Sequence, residues 1–299
     1  MAFDLSSVVK SMQKKWEHKD PAMARSVGTG SNLPKLTEKD FIKMPDWWQQ
    51  ATNTLGIPFG RIVMLAGDSD SGKTSAAIEA MRAAQEQGCA VIYVETEGKT
   101  SEKDLAAWGV KTDEILVIKN SITEMAFELM FESWDLVQEK YPDTPILIVF
   151  DSIGNTVSFR DSEIDITDQK QKPGGKGQIN RLALNKLISK REEGRVALLV
   201  INYVYANIGS PGKTNAGGKA INFFSSLTYQ TSRKAWVERT VKGEKVRVGA
   251  KVVWTLFKNH INKDAPGHKV IELDITADGV EFKGGKAGGE GSTEAEEAV

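Results

Sequence analysis

Eight consecutive residues, Gly67-Asp68-Ser69-Asp70-Ser71-Gly72-Lys73-Thr74, combine glycines, an ammonium and hydroxyls at the spacing that grips a polyphosphate. Turning backbone N–H groups followed by a helix N-terminus form an anion site. Gly67 and Gly72 would let the main chain approach the phosphates with no Cβ in the way. Lys73 is spaced to reach the β/γ-phosphates, and the Thr74 hydroxyl to hold Mg²⁺.

Two acidic positions extend this chemistry. The run Ile146-Leu147-Ile148-Val149-Phe150-Asp151 reads as a buried strand ending in a carboxylate, where Asp151 could orient the metal ion with Thr74. The run Val91-Ile92-Tyr93-Val94 ends in Glu95-Thr96-Glu97. If that strand lies adjacent to the loop, one of the two glutamates could polarise the water that attacks a γ-phosphate. Both would point the same way on a strand, so spacing leaves the choice open.

The elements that must hold these groups alternate along the chain. Strands are expected at Arg61–Ala66, Ala90–Glu95, Ile115–Ile118, Ile146–Asp151 and Leu198–Asn202, with helices at Thr74–Gln87, Ile122–Lys140 and Gln178–Arg191. Unbroken apolar runs separated by helices predict a parallel sheet covered on both faces. After Phe223, short runs at 227–229, 235–237, 246–248, 252–257 and 270–273 predict consecutive antiparallel strands, with a turn at Lys242-Gly243-Glu244. At the other end, Leu5, Val8, Val9, Met12 and Trp16 recur at helical spacing, and Gly28–Pro34 reads as a linker.

Composition bounds the rest. With 299 residues, 40% of them hydrophobic, the chain can bury one large core or two modest ones. The formal net charge of −1 points to neither nucleic acid nor membrane, but the end from Lys286 to Val299 sets four glutamates against one lysine. The remainder is therefore slightly positive and can carry a local basic groove. A single cysteine, Cys89, excludes an intrachain disulfide. No leader-like N-terminus or apolar run of about 20 residues is present, so a soluble, cytoplasmic protein is expected.

Two further segments leave the same expected sheet edge. One holds Arg160, Lys172 and Lys176; the other follows Asn202-Tyr203 with Tyr205, Ile208, Gly209, Lys213, Gly217, Gly218 and Lys219. Long, glycine-rich and basic loops suit a single-stranded nucleic acid, with lysines for phosphates and Tyr205 or Ile208 for base stacks.

Taken in order, the phosphate loop, Val94-Glu95-Thr96-Glu97, Phe150-Asp151-Ser152-Ile153-Gly154-Asn155, Ile201-Asn202-Tyr203 and Ala216-Gly217-Gly218-Lys219-Ala220 resemble the RecA-type DNA recombinases. The Asp151–Asn155 form resembles the bacteriophage, UvsX-like branch. The resemblance implies an α/β, RecA-like P-loop NTPase core with a mixed, mainly parallel central sheet covered by helices and antiparallel strands at the C-terminal side. It implies Glu97 as the catalytic glutamate and Asn202 and Tyr203 as the γ-phosphate sensor, Tyr203 standing where bacterial enzymes have Gln. It implies Ile208 and Gly209 at the base-intercalating position, Gly217 and Gly218 at the end of that loop, and Phe223 at a subunit interface. Lys258 and His260 resemble an element that enters a neighbour's ATP site.

The domains expected are an N-terminal polymerisation helix and linker over 1–34, the ATPase core over 35–283 and a disordered acidic tail over 284–299. The function implied is ATP- and Mg²⁺-dependent filament formation on single-stranded DNA, with pairing and strand exchange against homologous double-stranded DNA. Single-strand-binding and mediator proteins are the implied accessory partners. The alternatives are a ring-forming helicase of the same fold and a DNA-coating protein that uses ATP structurally.

Overall fold

A computed structural model describes residues 4–32, 35–164, 175–190, 194–206, 213–216, 218, 220–262 and 270–286. The chain divides into two units, Met1–Lys39 and Asp40–Val299. In the first, α1 (Leu5–Glu17) is capped by Asp4, whose side chain accepts from the Ser7 N–H, and is followed by α2 (Pro21–Arg25). No residue of α1 is buried, and Leu5, Val8 and Met12 stand exposed on its apolar stripe.

The second unit starts with a small antiparallel pair, β1 (Phe41–Lys43) and β2 (Gly56–Pro58), around α3 (Asp46–Thr52). The alternating region then supplies β3 (Ile62–Gly67), α4 (Lys73–Glu86), β4 (Ala90–Glu95), α5 (Glu102–Ala107), β5 (Ile115–Lys119), α6 (Thr123–Lys140) and β6 (Ile146–Asp151). It continues through α7 (Phe159–Ser162), α8 (Lys176–Lys190), β7 (Val196–Ala206), β8 (Lys213–Asn215) and α9 (Ala220–Phe224). Four strands follow among the described residues, β9 (Leu227–Val241), β10 (Glu244–Asn259), β11 (Val270–Thr276) and β12 (Gly279–Lys286).

Among the described residues ten strands form one sheet, nine of them in the order β12-β11-β10-β9-β3-β7-β6-β4-β5, with β8 beside β7. Along that order every pair from β9 to β5 is parallel and every pair from β9 to β12 is antiparallel, while β8 pairs antiparallel with β7. The mixed, mainly parallel sheet predicted from the sequence is thus observed. β3 and β6 are buried at every residue, as strands covered on both faces must be.

One apolar layer packs α3 and α4 against the sheet, with Trp47, Trp48 and Trp254 meeting edge to face at 5.7–6.2 Å between ring centres. The other packs α6 and α8, with Phe127 against Phe150 at 5.0 Å.

Three expectations are corrected. The runs at 227–229 and 235–237 belong to one strand, β9, and those at 246–248 and 252–257 to another, β10, because bulges reset the register where alternation lapses. β12 carries the sheet through Lys286, past the boundary expected at Lys283, because glycine-rich backbone can still pair with Val270–Glu272. Finally, β4 is not next to β3, since β7 and β6 lie between them.

Candidate nucleotide-binding site

β3 delivers Gly67 to the C-terminal edge of the sheet, and the loop turns through Gly72 (φ +81°) into α4. Lys73 folds back over this loop. Its ammonium donates to the carbonyls of Gly67 (3.0 Å) and Asp68 (2.6 Å) and lies 5.2 Å from the ring centre of Tyr203. Burial pulls its pKa down to about 8, against the fields of Asp151 and Glu97.

Gly67 is required for a reason the sequence did not disclose, and Gly72 for its φ of +81°. A Cβ on Gly67 would sit 1.9 Å from the Thr231 carbonyl oxygen, and one on Gly72 would sit 2.0 Å from Ile275 Cδ1. The loop therefore rests on the antiparallel strands. Ser71 Oγ lies 2.6 Å from Thr231 Oγ1, and Trp254 Nε1 donates to the Ser71 carbonyl at 3.4 Å. These seats on β9, β10 and β11 escaped sequence reasoning, because no motif spans the distance between them and the loop.

Thr74 Oγ1 donates to Asp151 Oδ2 at 2.9 Å, joining α4 to the end of β6. Burial pushes the Asp151 carboxyl up to about 7, with Glu97 and Glu95 adding to the rise and Thr74 and Lys73 opposing it. A divalent cation there would favour the charged carboxylate. Hydroxyl and carboxylate are hard oxygen donors, so the pair fits Mg²⁺. Among the described residues no group of three or more His, Cys, Asp or Glu could hold a metal ion, so phosphate and water oxygens would complete its shell.

The geometry separates the two glutamates. Glu95, buried at the end of β4, accepts from the backbone N–H groups of Glu97 (3.0 Å), Gly98 (2.9 Å) and Lys99 (3.3 Å). The chain leaves the strand at Thr96, so the shared direction expected for residues two apart is lost. Thr96 N–H donates to the Asp151 carbonyl at 2.9 Å, carrying Glu97 across the end of β6.

Glu97 then accepts from Ser152 Oγ (2.9 Å) and from the Tyr203 hydroxyl, and pairs with Lys99 Nζ at 2.8 Å. Burial works to raise its pKa, but the bonds from Lys99, Tyr203 and Ser152 prevail and hold it below the usual range. Tyr203, in turn, is pushed upward by burial and by Glu97, so it stays a phenol and a donor.

Asn202 is corrected. Side chains alternate along a strand, so Ile201 and Tyr203 line the cavity and Asn202 points to the other face. It is wholly buried, donating to the Ala216 carbonyl at 3.0 Å and accepting from the Tyr203 N–H at 2.9 Å.

Two cavities meet at this edge. One of ≈ 220 Å³ is lined by Ser69 to Ser75 with Glu97, Lys99, Asp151, Ile201 and Tyr203. The other, ≈ 350 Å³, adds Ile78, Glu95, Thr100, Asp104 and Trp108. Lys99 and Trp108 were missed. The charge alternation Glu97-Gly98-Lys99 was the available signal for the first.

Among the basic-loop positions, Arg160 is exposed on α7, Tyr205 is exposed near the end of β7, Lys213 begins β8 and Gly218 has φ +90°. Lys176 instead turns inward, donating to the Gly154 carbonyl at 2.5 Å, and burial lowers its pKa to about 8. Lys172, Ile208, Gly209, Gly217 and Lys219 lie outside the described residues. Lys258 donates to the carbonyls of Asn222 (2.8 Å) and Phe223 (3.1 Å) at the end of α9, where the Phe223 side chain is 79% exposed. His260 is exposed beyond β10, its N–H bonded to the Ser226 carbonyl at 2.8 Å.

The family profile described as "RecA N-terminal domain" matches residues 47–281. Protein RecA of Fusobacterium nucleatum subsp. nucleatum is 29% identical over 267 residues, covering 86% of this chain and 67% of that protein. Protein RecA of Arthrobacter sp. (strain FB24) is 30% identical over 235 residues, covering 77% and 62%. Protein RecA of Saccharopolyspora erythraea is 31% identical over 224 residues, covering 74% and 60%. The chain thus spans about two thirds or less of the length of these curated relatives. The matched span contains the phosphate loop, the acidic sheet edge and strands β3 to β11 that carry them, and on that match the chain belongs to the RecA N-terminal domain family.

Proposed function

We propose that this chain is an ATP-dependent homologous recombination protein of the bacteriophage, UvsX-like branch. It forms helical filaments on single-stranded DNA, pairs that strand with homologous double-stranded DNA, and hydrolyses ATP in response to DNA. The observation that carries the reading is the convergence of Lys73, the Thr74–Asp151 pair and Glu97 at the edge of one sheet. Family membership and the relatives named Protein RecA support it.

Lys73 and the loop amides bind and orient the β/γ-phosphates. Thr74 and Asp151 would hold Mg²⁺, which would supply charge stabilisation at the phosphoryl oxygens. Glu97, oriented by Ser152 and Tyr203, accepts the proton of the attacking water. Lys258 and Phe223 face a neighbouring protomer, and α1 docks its exposed stripe on another copy. Arg160, Tyr205 and the glycine-rich basic segment after Tyr203 bind the DNA strand. The filament recruits single-strand-binding and mediator proteins in the cytoplasm of the host. No described helix is long and apolar enough to cross a membrane.

Electron microscopy of the chain mixed with ATP, Mg²⁺ and single-stranded DNA tests this. Open helical filaments, with strand exchange in the same mixture, are expected. Closed rings that unwind duplexes would favour the helicase, and a coat that neither exchanges strands nor depends on turnover would favour the structural use of ATP.

A further inference from the structure

A carboxylate is a poor neighbour for a triphosphate, yet the phosphate loop carries one at its tip. Asp70 is exposed, adopts φ +56°, and lines the ≈ 220 Å³ cavity with Lys73 and Thr74. Asp is among the few residues other than glycine that tolerate this backbone region.

Its partner comes from the antiparallel side of the sheet. Arg233 on β9 donates from Nη1 to Asp70 Oδ2 at 2.8 Å. The same guanidinium lies 4.1 Å from the ring centre of Trp236, and Arg247 of β10 lies 5.0 Å from that ring. The register explains how the three meet. Lys251 pairs with Ala235 and Val252 with Arg233, so Lys234 is an extra residue in β9, and this bulge turns Arg233 and Trp236 to one face. Arg247 pairs with Glu238, two residues from Trp236 and therefore on the same face. A guanidinium stacked on an aromatic ring is restricted in the directions it can take.

We infer that Arg233 is a positioning residue for nucleotide binding, holding and neutralising the Asp70 carboxylate on the β9 side of the loop so that it does not repel the incoming phosphates. Arg233 acts through Asp70 and does not itself contact the nucleotide. The inference rests on the proposed binding of ATP at this loop, and it adds a requirement that the loop sequence alone does not state.

The test is titration of the full chain with Mg²⁺–ATP by calorimetry, comparing wild type, Arg233→Ala, Asp70→Asn and the double variant at low and high salt. Arg233→Ala should weaken binding about tenfold at low salt. That loss should shrink at high salt, because the pair is partly solvent-exposed. In the Asp70→Asn background, Arg233→Ala should change affinity by no more than about twofold. Arg233→Lys, which keeps the charge but not the planar stack on Trp236, should regain only part of the affinity lost in Arg233→Ala, and melting without nucleotide identifies any variant that fails to fold. A loss from Arg233→Ala that is as large in the Asp70→Asn background as in wild type, or no loss in folded Arg233→Ala, would overturn the inference. Absence of binding by wild type would instead overturn the nucleotide reading beneath it.

Discussion

Gly67 and Thr231 stand opposite each other in parallel register, so close that a Cβ on Gly67 would fall 1.9 Å from the Thr231 carbonyl oxygen. The first residue of the phosphate loop is thus fixed by the strand beside it, before any ligand is considered. Asp68 N–H donates to the same carbonyl at 3.2 Å, so the chain turns around Thr231 as it leaves the sheet.

Gly67→Ala must therefore displace backbone, not merely a flexible side chain. A loss of about 2 kcal/mol or more in stability is expected, measured by urea unfolding. Gly30→Ala, where a Cβ meets nothing within 4 Å, should change stability by less than about 0.5 kcal/mol. Equal behaviour of the two variants would refute the steric account.

Asp151 sets a pH dependence in the nucleotide-free chain. Burial raises its pKa to about 7, so between its ordinary value of 3.8 and 7 the folded state binds a proton more readily than the unfolded state. Stability then falls as pH rises through that window. Asp151→Asn should be more stable than wild type at pH 7, by an amount on the order of 1–3 kcal/mol in urea unfolding, with the gap closing towards pH 4. A gap that is the same at both ends would show that the titration of Asp151 is not its source.

The two glutamates should separate by phenotype. Glu95→Ala strips the acceptor from three backbone N–H groups, so it should lower the melting temperature, with a cost of about 1–3 kcal/mol. Glu97→Ala should keep its fold and its nucleotide binding and lose about 100-fold or more in turnover. Melting and single-turnover hydrolysis on both variants decide the matter. Rapid turnover by Glu97→Ala would mean that another group activates the water.

Much of this arrangement was legible in the sequence where it is local. The loop, the strands ending in Glu95 and Asp151, and the helices between them follow from short-range pattern, and all are observed. What stayed hidden depends on strand order. The sequence could not say that β9 lies against β3, so the contacts of Gly67 with Thr231 and of Gly72 with Ile275 were invisible. Nor could it say that Thr96 bonds across to β6, the step that parts Glu97 from Glu95. Asn202 and Tyr203 are neighbours in sequence but face opposite sides of the sheet, and only the register of β7 decides which one reaches the cavity.

The N-terminal unit offers a test of assembly. Its helix α1 leaves Leu5, Val8 and Met12 exposed on one stripe. Removing residues 1–39 should abolish filament formation while the remaining unit still melts cooperatively and binds nucleotide. Light scattering and calorimetry on the shortened chain would check this, and filaments formed without the segment would rule out its role in polymerisation.

The most direct measurement is steady-state ATP hydrolysis by wild type, Lys73→Ala and Glu97→Ala, each with and without single-stranded DNA. Wild type should hydrolyse ATP faster when the DNA is present, and both variants should stay near background in either condition. Hydrolysis that is absent from wild type, indifferent to DNA, or preserved in Lys73→Ala would contradict the assignment of this sheet edge as a DNA-responsive ATPase site.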